Sequence, residues 1–325
     1  MIRSLYQQID LEIQENIPSA AYAQALKNSQ GVLWVDICAE PTDVTETLLR
    51  ETFGFHPLAI ADALEETHVP KVDDWDAYLT IVVSAVDPTL DLEEAVETQE
   101  IDIFLGQNYL VTYHATPIPA IDRIWKKSLI KSGATHLFYR VIDEIANDYI
   151  ALADQIDDAI NDIEDQLFAN TESDLLENIF ALKRDLLHLR RIIAPQRDLV
   201  RHLSRVDYAV INADYQIYFR DVYDHFLRLY DIIENLRDLV SSALEIYLSV
   251  VNNRMNNVMK TLTIITTLFM PISFLTGFFG MNFFRPVEKL DLWTSLPMFS
   301  ILVLATIIFP VSMFIWMRKR GWTQL

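Results

Sequence analysis

One stretch of the chain carries uncharged polar, thioether and glycine residues at helical spacing. Steps of three and four residues pick out Asn256, Met259, Thr263, Thr266, Met270, Ser273, Gly277 and Gly280. A repeat of about 3.5 residues sets them along one seam of a helix. The other faces carry Ile264, Ile265, Leu268, Phe269, Ile272, Phe274, Leu275, Phe278 and Phe279. Large apolar faces suit lipid or neighbouring helices. A seam of small, hydroxyl and thioether groups suits either close helix packing or a water-filled path.

The elements that hold this seam follow from length and charge. No charged side chain occurs in 261–284 or in 292–317, and each stretch is long enough to cross a bilayer. Residues 1–30 contain no apolar core of a cleaved signal peptide, so the bulk of the chain is expected in the cytoplasm. Arg254 and Lys260 precede the first span, and Arg318, Lys319 and Arg320 follow the second. In the loop at 285–291, Arg285 and Lys289 are balanced by Glu288 and Asp291. This bias places both termini inside. Cys38 is the only cysteine, which excludes an intrachain disulfide and a thiolate metal site of the CxxC kind. A net charge of −20 argues against nucleic acid as a partner. It suits a solvated acidic surface, or one that gathers cations beside a pore.

Residues 1–135 read as a mixed α/β region. Strands are predicted at 32–37, 78–86, 99–105 and 108–114, rich in Val, Ile, Tyr and Thr. Helices are predicted at 19–28, 43–53 and 57–66, the last with Pro57 in its first turn. No phosphate loop and no HExxH or GxSxG pattern appears, so no catalytic motif is available. Residues 136–168 show helical spacing with an acidic face that includes Asp143, Asp148, Asp157, Asp158 and Asp162. The next helix, to about 203, is basic, with Lys183, Arg184, Arg190, Arg191, Arg197 and Arg201. The two read as an antiparallel pair with interlocking charges, or the acidic one as a holder of divalent ions. Pro195 is expected to kink or break the second.

From about Ala213 the helical pattern runs through Pro271 to Gly280, about 65 residues and on the order of 100 Å. A rod that long needs partner helices, which favours a symmetric oligomer. Extended backwards, the seam passes Asn252, Ser249, Glu245, Ser242 and Asp238. A coiled-coil core wants Leu and Ile at such positions. The polar seam therefore favours a wet cavity over simple packing.

The first span closes in Gly280-Met281-Asn282. A Gly-Met-Asn triplet ending the first of two C-terminal spans, after a long polar helix and before a basic tail, resembles the CorA family of divalent-cation channels. Residues 56–72 (HPLAIADALEETHVPKV) resemble the string that joins a helix to a strand in the family's soluble domain. The likeness is densest at 214–282, in YFRDVYDH (218–225), NVMKTLTII (257–265) and FMPISFLTGFFGMNF (269–283).

The resemblance implies an α+β membrane protein assembled as a homopentamer. An N-terminal cytoplasmic α/β/α domain (1–206) precedes a stalk helix (207–260), which continues into a pore-lining span (261–284). A short external loop (285–291), a second span (292–317) and a basic cytoplasmic tail (318–325) follow. It implies a selectivity filter at Gly280, Met281 and Asn282. Asn256, Met259, Leu262, Met270, Ser273 and Gly277 then face the pore. Leu262 replaces the Thr263 of the spacing analysis. Five Asn282 amides form an acceptor ring for hydrated Mg2+, which gives up its waters reluctantly. Gly280 permits a tight turn. Met259, Leu262 and Met270 form an apolar constriction. Nearby hydroxyls satisfy the Thr267 carbonyl that Pro271 frees. Lys260, Arg318, Lys319 and Arg320 form an inner basic ring, with interfacial anchoring as their simpler role.

The resemblance also implies a regulatory metal between subunits, held by Asp62 of one and Asp221 of the next. Ala61 stands where the family commonly has an acid, so a second regulatory site is not implied. The transported and regulatory ion is expected to be Mg2+, with Co2+ or Ni2+ as companions. A Zn2+ transporter of the ZntB kind shares the fold, but the seam has no His or Cys to favour zinc. A membrane-anchored coiled-coil sensor that moves no ions requires an apolar seam instead.

Overall fold

The structure, a computed structural model, describes residues 1–8, 12–65, 69–89, 96–127, 133–169, 175–281 and 295–320. Contacts divide the chain into two units, Met1–Leu244 and Glu245–Leu325. The first unit is built on a seven-stranded sheet ordered β2-β1-β3-β7-β6-β5-β4. Its strands are β1 (Ile2–Gln8), β2 (Gln14–Glu15), β3 (Gly31–Cys38), β4 (Lys71–Asp74), β5 (Leu79–Val86), β6 (Thr98–Leu105) and β7 (Tyr109–His114). Among the described strands, only β3 and β7 pair in parallel. The four β-branched runs expected as strands are the central ones. β1 and β4 carry too many polar residues to be read from composition, and β2 is too short.

Alternation along the strands makes three layers. Leu33, Val35 and Ile37 of β3 and Val111 of β7 share a core with Tyr22 and Ala25 of α1 (Ser19–Lys27) and with Ala59, Ile60 and Ala63 of α3 (Pro57–Leu64). Between these helices, α2 (Thr42–Thr47) runs into a π-helical turn, Leu48–Phe53, closed by Gly54 at φ +71°. On the opposite face Trp34 packs against Trp125 of α4 (Pro119–Lys127), ring centroids 4.7 Å apart. Arg3 ties that face together. It donates to Asp36 at 2.8 Å and to Asp122 at 2.6 Å, and lies 4.4 Å over Trp125.

Two long helices also pack on this unit, α5 (Ala134–Ala169) and α6 (Leu175–Leu203). Both reach the same residue of β5. The hydroxyl of Tyr149 in α5 donates to the Ser84 carbonyl at 3.1 Å, and Gln196 in α6 accepts from the Ser84 amide at 2.6 Å. β4 pairs with β5 only up to Val82. The two side chains therefore satisfy the edge that β4 leaves uncovered. Pro195 sits within α6, which continues through it rather than breaking.

Helix α7 (Gln216–Gly280) has 65 residues. Its buried residues are Phe219, Val222, Phe226, Leu229, Ile233, Leu236, Val240 and Ala243. The alternating three–four spacing is that of one packed stripe. Phe219 meets Phe138 of α5 at 5.5 Å, and Glu234 accepts an ion pair from Arg190 of α6 at 2.6 Å. The stripe ends at Ala243, beside the boundary between the units. The second unit holds the remainder of α7 and α8 (Leu296–Lys319), both apolar and long enough to span a membrane.

Candidate functional site: a polar helix seam and two separate carboxylates

The membrane-length part of α7 has two contrasting sides. Lys260, Ile264, Thr267, Leu268, Pro271, Ile272, Leu275 and Phe279 are partly buried. At about 100° per residue these positions share one side of the helix. Leu275 and Phe279 line a cavity of about 470 Å³ with Phe299, Leu302, Val303 and Thr306 of α8. The seam positions Asn256, Met259, Thr263, Thr266, Met270, Ser273, Gly277 and Gly280 are all exposed and centre on the opposite side. Met270 is the barest of the three apolar residues assigned to the constriction, at 66% exposure. Leu262 and Thr263 fall on either flank of the seam line and both are exposed, so a single chain accommodates either assignment.

The Thr263 hydroxyl on the seam has a defined polarity. Thr263 donates to the Met259 carbonyl at 2.8 Å, which spends its proton on the helix. Its oxygen lone pairs are left to face outward as acceptors. Off the seam, Thr261 and Thr276 likewise donate to the Asn257 and Ile272 carbonyls, both at 2.9 Å. These bonds go elsewhere than to the Thr267 carbonyl, and α7 runs through Pro271 unbroken. Gly280 is the last residue of α7 and Met281 follows it. Asn282, the loop at 285–291 and residues 321–325 lie outside the described residues. Arg318, Lys319 and Arg320 are exposed at the end of α8, with Arg320 5.2 Å over the Trp316 ring. Lys260 is partly buried in α7.

Asp62 and Asp221 stand in different surroundings. Asp62 lies on α3 and accepts from Lys71 of β4, whose ammonium is also 3.7 Å from Asp73. Burial opposes the charge on Lys71, but Asp62 and Asp73 raise its pKa above the ordinary value. Below α3, Asp102 of β6 is only 5% exposed. Burial, with Glu100 and Asp62 close by, pushes its carboxyl up to about 9, and Lys71 offsets this only in part. Sequence reasoning missed Asp102. Its signal is a charge set between Ile101 and Ile103 in a strand that is otherwise buried.

Asp221 is exposed on α7, beside the part of α5 that carries Tyr139 and Asp143. Asp143 is 2.8 Å from Arg140 and 3.5 Å from His225. Burial raises the Asp143 pKa, assisted by Asp221 and opposed by Arg140 and His225.

Among the described residues, the ion pairs that leave the acidic helix and the basic one go to other elements. Glu144 of α5 pairs with Arg123 of α4 at 2.7 Å, and Asp148 pairs with the same guanidinium. Arg190 of α6 goes instead to α7. Leu152, Ile156, Ile160 and Ile163 of α5 and Leu182, Leu186 and Leu189 of α6 are buried, which leaves apolar packing to join the pair. Asp154, Asp157, Asp158 and Asp162 are exposed, and no group of three metal-binding side chains forms among the described residues.

An α/β/α unit, one 65-residue helix with a polar seam and a second apolar helix define a membrane protein of the ion-transporting class. The model of the CorA-like Mg2+ transporter protein family matches residues 29–319. YfjQ of Bacillus subtilis is 37% identical over 298 residues, covering 90% of each chain. The cobalt/magnesium transport protein CorA of Thermotoga maritima is 32% identical over 303 residues, covering 91% of this chain and 85% of that protein. The complete structure of the CorA magnesium transporter from Methanocaldococcus jannaschii superposes with a TM-score of 0.83, at 22% identity and over 98% of each chain. The chain belongs to the CorA-like family. It is a divalent-cation transporter of the membrane, in a family of transporters rather than enzymes.

Proposed function

We propose that the chain is a homopentameric channel for Mg2+ influx, with Co2+ and Ni2+ as further cargo, in the inner membrane with both termini cytoplasmic. Support comes from the placement of the seam opposite the side of α7 that faces α8. Five copies arranged with α8 outside would turn their seams toward a common axis. The acceptor oxygen of Thr263 then meets the water shell of the ion rather than the ion itself. Asn282 ends the path as a ring of five amides, with Gly280 and Met281 completing the filter. An uncharged ring holds a hydrated cation loosely enough to release it. Met259, Leu262 and Met270 close the path by dewetting when the seams approach. Asn256, Ser273 and Gly277 keep the remainder wet or wide. Lys260 and Arg318, Lys319 and Arg320 anchor the inner interface.

Gating is assigned to Mg2+ bound between Asp62 of one subunit and Asp221 of its neighbour. The ion stabilises the closed ring, and its loss leaves two carboxylates facing each other and loosens the ring. The regulatory carboxylate Asp221 and the seam share α7. The names of the Thermotoga and Methanocaldococcus relatives support magnesium as cargo. The deciding experiment is flux by the purified protein in liposomes across Mg2+, Co2+, Ni2+ and Zn2+, with its mass measured in detergent. Mg2+ entry, a pentamer and at least a tenfold loss of flux in Asn282→Ala are expected. Zn2+ entry without Mg2+ entry reverses the choice of ion. A stable dimer, or uptake indifferent to Asn282→Ala, removes the pore.

A further inference from the structure

Asp62 already holds a cation. The Lys71 ammonium donates to its carboxylate and sits 3.7 Å from Asp73. The sheet register shows what else that ammonium can reach. Lys71 pairs with Val82, Val82 with Asp102, and Asp102 with Tyr113, so the four residues form one row across β4, β5, β6 and β7. Directly paired residues point to the same face of a sheet. Lys71 and Asp102 therefore both point to the face covered by α3. Two strand spacings put their backbones about 10 Å apart, within the combined reach of a lysine and an aspartate. Asp102 is 5% exposed, and Lys71 already lies close enough to act on its charge. Its carboxyl oxygens can accept from the ammonium in either protonation state, which makes it a second seat beside Asp62.

We propose that Lys71 is a built-in competitor for the regulatory cation, occupying Asp62 in its absence and withdrawing toward Asp73 and Asp102 when a divalent ion takes the carboxylate. This rests on the reading of Asp62 as a regulatory ligand and adds what sets its threshold. A divalent ion must displace an ammonium before it can bind, so its apparent affinity falls by the strength of that pair. The side chains of Lys71 and Asp62 are 32% and 44% exposed. A pair so open to solvent is weak, which limits the effect to about threefold to fivefold. A modest penalty of this size shifts the Mg2+ level at which the ring closes without preventing closure.

The test uses the full-length protein in lipid nanodiscs and reads the Mg2+ midpoint for protection of the soluble unit from protease. Lys71→Met and Lys71→Gln should both lower the midpoint about threefold to fivefold. Lys71→Arg, which keeps the pair, should hold it at the wild-type value. Both uncharged variants keep a side chain of similar length on an edge strand, and an unchanged melting temperature without Mg2+ verifies the fold. If Asp62→Ala or Asp221→Lys leaves protection unchanged, the regulatory site fails and the competitor with it. If Asp62→Ala removes protection while Lys71→Met and Lys71→Gln leave the midpoint in place, the competitor alone is overturned.

Discussion

Ser273 and Leu275 of α7 are two residues apart and face nearly opposite ways. Two helical steps turn a side chain by about 200°. Leu275 lines the cavity shared with α8, whereas Ser273 stands exposed on the seam. The same division holds for Met270 against Ile272 and for Gly277 against Phe279. At each of these pairs the small or flexible residue stands on the seam and the bulky apolar one on the side toward α8.

Cysteine accessibility checks this directly, because the native Cys38 is buried and gives little background. In the open channel, Ser273→Cys should react with a water-soluble cationic thiol reagent, and the adduct should block cation flux. Leu275→Cys should stay unreactive under the same conditions. Equal labelling of the two would mean that the seam is not the wet side.

How much was legible in the sequence depends on whether the signal was local. The seam was legible because a repeat of about 3.5 residues is a property of the chain itself. The choice between Leu262 and Thr263 was not, since both flank the line and only packing among copies can separate them. β3, β5, β6 and β7 announced themselves by β-branched runs, and the α3-to-β4 connection by its resemblance. β1 did not, because Arg3, Ser4, Gln7 and Gln8 dilute it. It is a strand because it pairs with β3 along its whole length. The charges of α5 and α6 suggested each other as partners by sign alone. Arg123 and Glu234 took those roles, and nothing in composition distinguishes them from other candidates. Asp62 and Asp221 came from the resemblance, and the hold of Lys71 on Asp62 only from the fold.

The shared grip of Tyr149 and Gln196 on Ser84 yields a stability prediction. Tyr149→Phe removes one hydrogen bond from a buried carbonyl and should cost about 1 kcal/mol. Gln196→Leu leaves the Ser84 amide without an acceptor in a buried setting, a loss of about 1–3 kcal/mol. For a unit of this size, 1 kcal/mol lowers the melting temperature by about 2–4 °C. Thermal unfolding followed by near-ultraviolet circular dichroism should therefore place Gln196→Leu below Tyr149→Phe, and both below the wild type. The reverse order would show that the β5 edge is satisfied in some other way.

Asp102 yields a prediction in pH. Its carboxyl is pushed up to about 9 in the fold, against an ordinary value of 3.8. Between these values the folded unit keeps a proton that the unfolded chain has released. Stability therefore falls as pH rises wherever the folded state binds more protons. The contribution is most favourable below about pH 4 and declines from there to about pH 9. Asp102→Asn removes the titrating group while preserving its size. The variant should match the wild type near pH 4 and exceed it by at least about 1 kcal/mol at pH 8, or about 2–4 °C in melting temperature. Melting curves of the full-length protein from pH 4.5 to 8.5, without divalent ions, measure the difference. A gap that stays constant across that range would show that Asp102 is ionised throughout, with the Lys71 ammonium seated beside it rather than on Asp62.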